Sequence, residues 1–293
     1  MPDATLTGRS ARDVVAMLSD VLTTAGIRDA KAEARDILAA VLDMPRLWPS
    51  LHADDMVDER VQSEALRAAR HRAAGAPFAY AVGRAAFRHF TLDVDERVLI
   101  PRQETEQLVE CVLELAGDWG GTAVDIGTGS GAIALSLATE ARFGRVIATD
   151  VSEGALAVAR ENATRLAGAL NTPVEFRQGS LLAPLSGERV RVIVSNPPYI
   201  SHDEAKELPA GVRDWEPPVA LFSGAGGMDA TVAIIRGAAA HLEPGGLLAL
   251  EVDTRRAVIG AELALASGHY ADVSVRLDLA GRERILLARR TNR

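Results

Sequence analysis

The sequence predicts an α/β fold: a mostly parallel, doubly wound sheet of seven strands behind a small N-terminal helical bundle and a β-hairpin connector. Three observations predict it. From residue 122 onward, apolar runs of strand length alternate with stretches of helical periodicity, as strands joined by crossover helices do. The first of these runs feeds a glycine-rich loop that opens into a helical stretch. Upstream of residue 83 apolar positions recur at helical spacing, with no strand alternation.

The helical part is placed at 1–82. Ser10 is positioned to cap a first helix, with Asp13 in its first turn. Val14, Met17, Leu18, Val21 and Leu22 share one face, and Gly26 supplies a stop. Ala34, Ile37, Leu38, Val41 and Leu42 mark a second helix ending before Pro45, and a third covers 58–74 ahead of Gly75. That third helix carries Arg67, Arg70, His71 and Arg72. Such a run is ordinarily a solvated face; the functional alternative is a contact patch for a partner.

The connector is placed at 83–101. Residues 87–94 alternate apolar and polar, and Val98-Leu99-Ile100 follows after Asp95-Glu96, which predicts a hairpin turning at 95–96. Thr105 and Glu106 then stand where they can cap a helix through Leu108, Val109, Val112 and Leu113. Capping gives no role to Arg102 or Glu104, which are left to face a ligand.

The remainder, 102–293, holds the sheet. Strands are expected at 122–126, 145–150, 174–176, 190–194 and 245–252, the last entered through the turn Glu243-Pro244. Helices are expected from Ala132, through Ala155 to Ala159, and over 229–242. Two more strands, 273–277 and 284–288, flank Gly281 as a closing hairpin and bring the count to seven.

Bulk properties exclude several function classes. At 293 residues the chain accommodates one large domain and a small one. A net charge of -8 argues against a broad basic surface for nucleic acid. No apolar run reaches membrane-spanning length. Met1-Pro2-Asp3-Ala4-Thr5 lacks the basic and apolar regions of a secretory leader. Cys111 is the only cysteine and lies in an amphipathic stretch, so a buried thiol is expected, with no disulfide and no metal site. A monomeric, cytoplasmic protein is expected.

Two stretches carry chemistry. The first is Gly127-Thr128-Gly129-Ser130-Gly131, between Asp125-Ile126 and a helix start. Glycines there let the backbone approach a ligand, and the helix N-terminus favours a polar or anionic group. Gly127, Gly129 and Ala132 also satisfy the dinucleotide pattern, and Asp150 at the end of the next strand can hold ribose hydroxyls, so this loop alone leaves a nicotinamide cofactor open. Gly131, immediately in series with the other two, and the absence of hydride-transfer apparatus point to S-adenosylmethionine.

The second stretch, Ser195-Asn196-Pro197-Pro198-Tyr199-Ile200, closes the apolar run 190–194. Each proline fixes φ, removes an N–H and drives the residue before it towards an extended conformation. The Asn196 amide and the Pro197 carbonyl can then both accept hydrogen bonds, with the Tyr199 ring close by. That is a cup for a planar –NH2 group. A Pro-Pro turn that merely ends a strand is the plainer alternative; the flanking Asn and Tyr favour the site.

The chain as a whole resembles the release-factor glutamine methyltransferases (the PrmC/HemK group). The resemblance rests on residues 72–80 with Gly83, on 100–106 (Ile-Pro-Arg-Gln-Glu-Thr-Glu), 125–131, 194–200, 212–217 (Val-Arg-Asp-Trp-Glu-Pro) and 242–251. It implies a Rossmann-like class I methyltransferase fold and a substrate-recognition role for the N-terminal bundle. The implied reaction is methyl transfer from S-adenosylmethionine to the side-chain amide of the Gln in the Gly-Gly-Gln loop of class I peptide-chain release factors.

By motif, Asp125, Gly127, Thr128, Gly129, Ser130, Gly131 and Asp150 would bind the cofactor, with Leu181 on its adenine side and Asn196 touching it too. Asn196, Pro197, Pro198 and Tyr199 would hold the substrate glutamine, with Asn196, Pro197 and Tyr199 as the catalytic set. Three departures stand out: Ser180 in place of an Asp, Gln103 in place of a second Pro, and Glu251-Val252-Asp253-Thr254 in place of a Glu-x-Gly pattern.

Chemically, an amide nitrogen is a poor nucleophile because its lone pair is delocalised. Acceptors at Asn196 and Pro197 that take both amide protons localise the pair towards the methyl donor, Tyr199 packs against the amide, and no general base is assigned. Two rivals remain: an adenine amino-methyltransferase acting on DNA or rRNA, whose acceptor suits the same cup, and a non-catalytic cofactor-binding module.

Overall fold

A computed structural model describes residues 8–292; Met1-Pro2-Asp3-Ala4-Thr5, on which the absence of a leader was read, lies outside them. The chain divides into two compact units. One runs to Arg84 and also takes in Ala210–Trp215; the other comprises Ala85–Pro209 and Glu216–Arg293.

In the helical unit, β1 (Arg9–Ser10) leads into α1 (Ala11–Thr24), and Ser10 Oγ accepts from the Asp13 N–H at 3.2 Å. Then come α2 (Ala30–Leu42), α3 (Trp48–Leu51), β2 (Met56–Val57), α4 (Glu59–Ala73) and α5 (Phe78–Val82). Val14, Leu18 and Leu22 of α1 and Ile37 and Leu38 of α2 pack against the alanine face Ala65, Ala68 and Ala69 of α4. The antiparallel β1–β2 pair, α3 and the five-residue α5 escaped the sequence reading. Strands of two residues and helices of four and five are too short for periodicity to declare them.

The connector hairpin forms, but elsewhere than expected. Its strands are β3 (Arg84–Phe87) and β4 (Phe90–Asp93), so the turn falls at Arg88-His89 and not at Asp95-Glu96. Arg88 adopts a left-handed φ of 49°, held by bonds from its guanidinium to Glu140 at 2.7 Å and Glu110 at 2.8 Å and from its N–H to Glu106 at 3.0 Å. Residues 94–100 form no strand. Asp95 folds them into a turn, accepting from the Arg97 N–H on its side chain and the Val98 N–H on its carbonyl.

Next follow α6 (Gln103–Ala116), β5 (Thr122–Ile126), α7 (Ala132–Glu140), β6 (Arg145–Asp150), α8 (Glu153–Arg165), β7 (Val174–Gln178) and β8 (Val190–Ser195). After them, α9 (Ala210–Arg213) belongs to the helical unit, where Trp215 meets His71 edge-on with centroids 5.1 Å apart. The chain ends with α10 (Pro218–Leu221), α11 (Asp229–Ala238), β9 (Leu242–Glu251), α12 (Ala257–Ala266), β10 (Tyr270–Leu277) and β11 (Glu283–Arg290).

Seven strands form one sheet in the order β10-β11-β9-β8-β5-β6-β7. β7, β6, β5, β8 and β9 run parallel, while β11 pairs antiparallel with β9 and β10. Val124, Ile147, Ile193 and Leu248 are wholly buried at its centre, which explains why these strands read as continuous apolar runs without alternation. From β5 the chain proceeds outward to β6 and β7, then returns to place β8 on the other side of β5. The crevice at such a reversal, beyond the carboxyl ends of the strands, is where open α/β sheets bind ligands. Here Ile126 of β5 pairs with Ser195 of β8, so Gly127 and Asn196 leave adjacent strand ends.

Candidate active site

The glycine loop is built from local contacts. Gly127, Gly129 and Gly131 take φ of 74°, 55° and 87°, conformations that side-chain-bearing residues rarely adopt. The Gly127 and Thr128 N–H groups donate to Thr149 O at 2.8 and 2.9 Å, tying the loop to the end of β6. Asp150 Oδ2 accepts from the Gly129 N–H and Oδ1 from the Ser152 N–H, each at 2.9 Å. Burial pushes the Asp150 carboxyl above its ordinary range, against the opposing effect of these N–H donors.

Asp125 has a different place. It is fully buried beneath the loop, and its Oδ2 accepts from the Thr128 hydroxyl at 2.7 Å and the Ala134 N–H at 3.1 Å. Burial pushes its carboxyl up to about 7. Its Oδ1 has no hydrogen-bond partner among the described residues. Asp125 thus shapes the loop from below.

The loop borders a cavity of about 470 Å³ within the α/β unit, a size suited to a small organic ligand. Gly127, Gly129, Asp150, Leu181, Asn196, Pro197 and Pro198 line it; Asp125, Thr128, Ser130, Gly131 and Tyr199 do not. Thr128 and Ser130 are buried, and the Ser130 carbonyl accepts from Asn162 Nδ2 at 3.0 Å. Leu181 reaches the cavity from a left-handed φ of 48°, a strained setting for a leucine, with Ser180 lining beside it. Sequence reasoning missed the other walls. Val98 and Leu99 come from the supposed connector strand, and Pro217, Val219, Ala220 and Phe222 come from the segment around α10.

The 195–200 segment is held by side chains distant in sequence. Asn196 Nδ2 donates to Thr105 Oγ1 at 3.0 Å, and the Thr105 hydroxyl donates to Glu251 Oε2 at 2.6 Å. Tyr199 donates its hydroxyl to Glu251 Oε1 at 3.3 Å, and the Arg284 guanidinium lies over the Tyr199 ring at 5.8 Å. Burial pushes both the Glu251 carboxyl and the Tyr199 phenol up. The Tyr199 hydroxyl is therefore anchored in the core at Glu251.

Helix capping, expected of Thr105 and Glu106, is overturned. Arg102 is the N-cap of α6 and makes no side-chain cap bond. Thr105 is spent on Glu251 and Asn196, and Glu106 on the Arg88 N–H. Nor are Arg102 and Glu104 free to face a ligand. Arg102 Nη2 contacts both Glu216 oxygens, at 2.5 and 2.6 Å, and Glu104 pairs with Arg282 at 2.9 Å. Glu216 is almost fully buried and immediately precedes the wall residue Pro217, so Arg102 fastens that wall.

The departures at Gln103 and Asp253 have physical accounts. Gln103 is the exposed first residue of α6, where a proline and a glutamine are equally acceptable. Asp253 does not need a left-handed φ; its Oδ1 instead accepts from the Arg255 N–H at 2.9 Å.

An S-adenosylmethionine molecule fits these residues on three observations. Ideal Cβ atoms at Gly127 and Gly129 would meet no protein atom within 4 Å, so the cradle is open. Asp150 offers a carboxylate at the cavity wall for ribose hydroxyls. The apolar wall of Leu181, Val98 and Leu99 suits a flat aromatic base. Among the described residues no group of three or more His, Cys, Asp or Glu could hold a metal, and no helix is long and apolar enough to cross a membrane.

A mostly parallel sheet with this order, a glycine loop at the switch point and Asn-Pro-Pro-Tyr at the neighbouring strand end define a methyltransferase of the Rossmann-like class. The methyltransferase small domain family matches residues 102–210, and the PrmC N-terminal domain family matches 13–83. A methyltransferase from Pyrococcus furiosus has the same fold, with a TM-score of 0.50 at 21% identity over 68% of this chain and 88% of that one. The hMettl16 catalytic domain, solved with a 3'UTR hairpin, likewise shares it, with a TM-score of 0.54 at 15% identity over 82% and 85%.

The relatives narrow the class. The release factor glutamine methyltransferase of Moorella thermoacetica is 43% identical over 92% of this chain and 94% of its own length. That of Cereibacter sphaeroides is 41% identical over 92% and 94%, and that of Deinococcus radiodurans 39% identical over 95% and 98%. The chain belongs to the release factor glutamine methyltransferase family.

Proposed function

We propose that this protein methylates the side-chain amide nitrogen of the Gln in the Gly-Gly-Gln motif of class I peptide-chain release factors. One observation carries the chemistry. Asn196, which lines the cavity, spends its Nδ2 on Thr105 and keeps Oδ1 as its open acceptor. A planar amide that brings its two N–H groups to Asn196 Oδ1 and the Pro197 carbonyl is held by both, and its nitrogen lone pair is no longer shared fully with its own carbonyl. Both acceptors are preset by the prolines and by Thr105, so they stabilise positive charge developing on the nitrogen without reorganising. Bound S-adenosylmethionine supplies an electrophilic methyl group. The nitrogen releases its surplus proton to solvent after transfer.

The same reading assigns cofactor contacts to Gly127, Gly129, Asp150, Leu181 and Asn196, with Asp125, Thr128, Ser130 and Gly131 shaping the loop. The helical unit is proposed to recognise the release factor. Of the three arginines read as a contact patch on its α4, Arg67 and Arg70 are exposed; Arg72 is engaged with Glu33 at 2.5 Å. A cytoplasmic monomer is proposed, and its action on protein and not on nucleic acid agrees with the net charge of -8.

The test is incubation with methyl-labelled cofactor and, separately, a release factor, DNA and rRNA. Label in the release factor is expected. Label in nucleic acid alone contradicts the proposal, and no label in any acceptor favours a binding module.

A further inference from the structure

We propose that Thr105 and Glu251 form a relay that fixes which face of the Asn196 amide meets the acceptor, making both of them positioning residues for methyl transfer. The assignment follows from counting protons. A threonine hydroxyl has one proton to donate. In Thr105 that proton points to Glu251 Oε2 at 2.6 Å; Glu251 acts as an ionised acceptor, taking the Tyr199 hydroxyl on its other oxygen, and at 1% exposure it leaves water no access to compete. The hydroxyl oxygen of Thr105, a residue 5% exposed, is left to accept. The Asn196 atom 3.0 Å away must therefore be the donating Nδ2, which directs Oδ1 away from Thr105.

Without the hydroxyl, the two ends of the Asn196 amide become nearly equivalent to their surroundings. A flipped side chain would present an –NH2 to the acceptor's own N–H, a donor facing a donor. The Glu251 carboxylate also has a second client: its Oε1 accepts from the Tyr199 hydroxyl at 3.3 Å. One buried carboxylate thus sets both Asn196 and Tyr199. The chain Asn196 N–H to Thr105 O–H to Glu251 runs in one direction, so each bond strengthens the next and adds acceptor strength at Asn196 Oδ1. Its members lie 91 and 146 positions apart in sequence.

The inference rests on the proposed role of Asn196, and its test separates the two. Thr105→Val keeps the shape and removes the hydroxyl; Thr105→Ser keeps the hydroxyl and removes a methyl. Thr105→Val should lower kcat on a release factor by about tenfold, the worth of one positioning hydrogen bond, with unchanged cofactor affinity. Thr105→Ser should stay within about threefold of the native enzyme on the same scale. Glu251→Gln, left with one acceptor oxygen for two hydroxyls, should resemble Thr105→Val. Turnover of Thr105→Val within twofold of native, or equal losses in Thr105→Val and Thr105→Ser, would overturn the relay.

A second measurement needs no turnover. In nitrogen-labelled protein, the Asn196 side-chain amide protons should exchange slowly in native and Thr105→Ser protein and fast in Thr105→Val. Fast exchange in the native protein would overturn the pinning. A native enzyme that methylates no release factor would instead contradict the proposed function, while the exchange data would still decide the relay.

Discussion

Two strand ends meet at the switch point of the sheet, and they are built in opposite ways. The loop after β5 is held by neighbours: Thr128 to Asp125 three residues back, and Gly129 to Asp150 at the end of the adjacent strand. The segment after β8 is held by residues from α6 and the end of β9, Thr105 and Glu251. A ligand that needs only backbone approach and one carboxylate can be served by a short local motif. An acceptor amide whose two protons must meet two oxygens in fixed orientation needs its acceptors braced from several sides. Changes at the first end should therefore register in cofactor affinity, and changes at the second in turnover.

The sharpest break of that comparison is Asn196→Ala. Loss of a preorganised acceptor at the reacting group should cost roughly 10²–10³ in kcat, while calorimetry finds cofactor affinity reduced far less, because Asn196 is only one of five proposed cofactor contacts. Turnover near the native level would remove Asn196 from the chemistry. Gly127→Ala probes the other end. Its added methyl meets no protein atom within 4 Å, so the damage comes from the left-handed φ of 74° and from the approach of the ligand. The Michaelis constant for the cofactor should rise about tenfold if the free loop relaxes out of its left-handed strain of about 1–2 kcal/mol and must be returned to it on binding, with kcat at saturation preserved. A fall in kcat alone would show the two ends to be less separable than their construction indicates.

How much of this was legible follows from the same contrast. The strands, the glycine loop and the Asn-Pro-Pro-Tyr segment could be read because each declares itself within a dozen residues. The bracing could not. Thr105-Glu106 matches a capping pattern locally, and nothing in its neighbourhood reveals that Thr105 is claimed by Glu251, 146 positions away. The hairpin turn was misplaced for a related reason: Arg88 holds a left-handed φ because Glu140 and Glu110 hold its guanidinium, and Glu140 lies 52 positions on. Val98 and Leu99 read as strand because they are apolar and unbroken, whereas the structure uses them as cavity wall.

Two smaller effects sharpen the comparison. Asp125 has a folded carboxyl pushed up to about 7 from an ordinary 3.8. The folded state thus binds the proton more tightly than the unfolded chain, and this group's contribution to stability falls as pH rises from about 4 to about 7. Asp125→Asn removes that titration, so the difference in urea midpoint between variant and native should move in the variant's favour across the same window. Identical pH profiles would contradict the burial-driven shift. The smallest effect is expected for Gln103→Pro. Arg102 before it is already extended, with φ -110° and ψ 151°, and the first helical position needs no N–H donor. Stability should change by less than about 0.5 kcal/mol, and turnover should hold; a large loss would show that Gln103 does more than open α6.

The central claim is that the cup at Asn196 and Pro197 takes a glutamine amide from a release factor. Fragmentation mass spectrometry of a release factor methylated by this enzyme tests it most directly. One added methyl group is expected, on the side-chain nitrogen of the Gln in Gly-Gly-Gln and on no other residue. A methyl group on any other side chain, with that Gln unmodified, would contradict it.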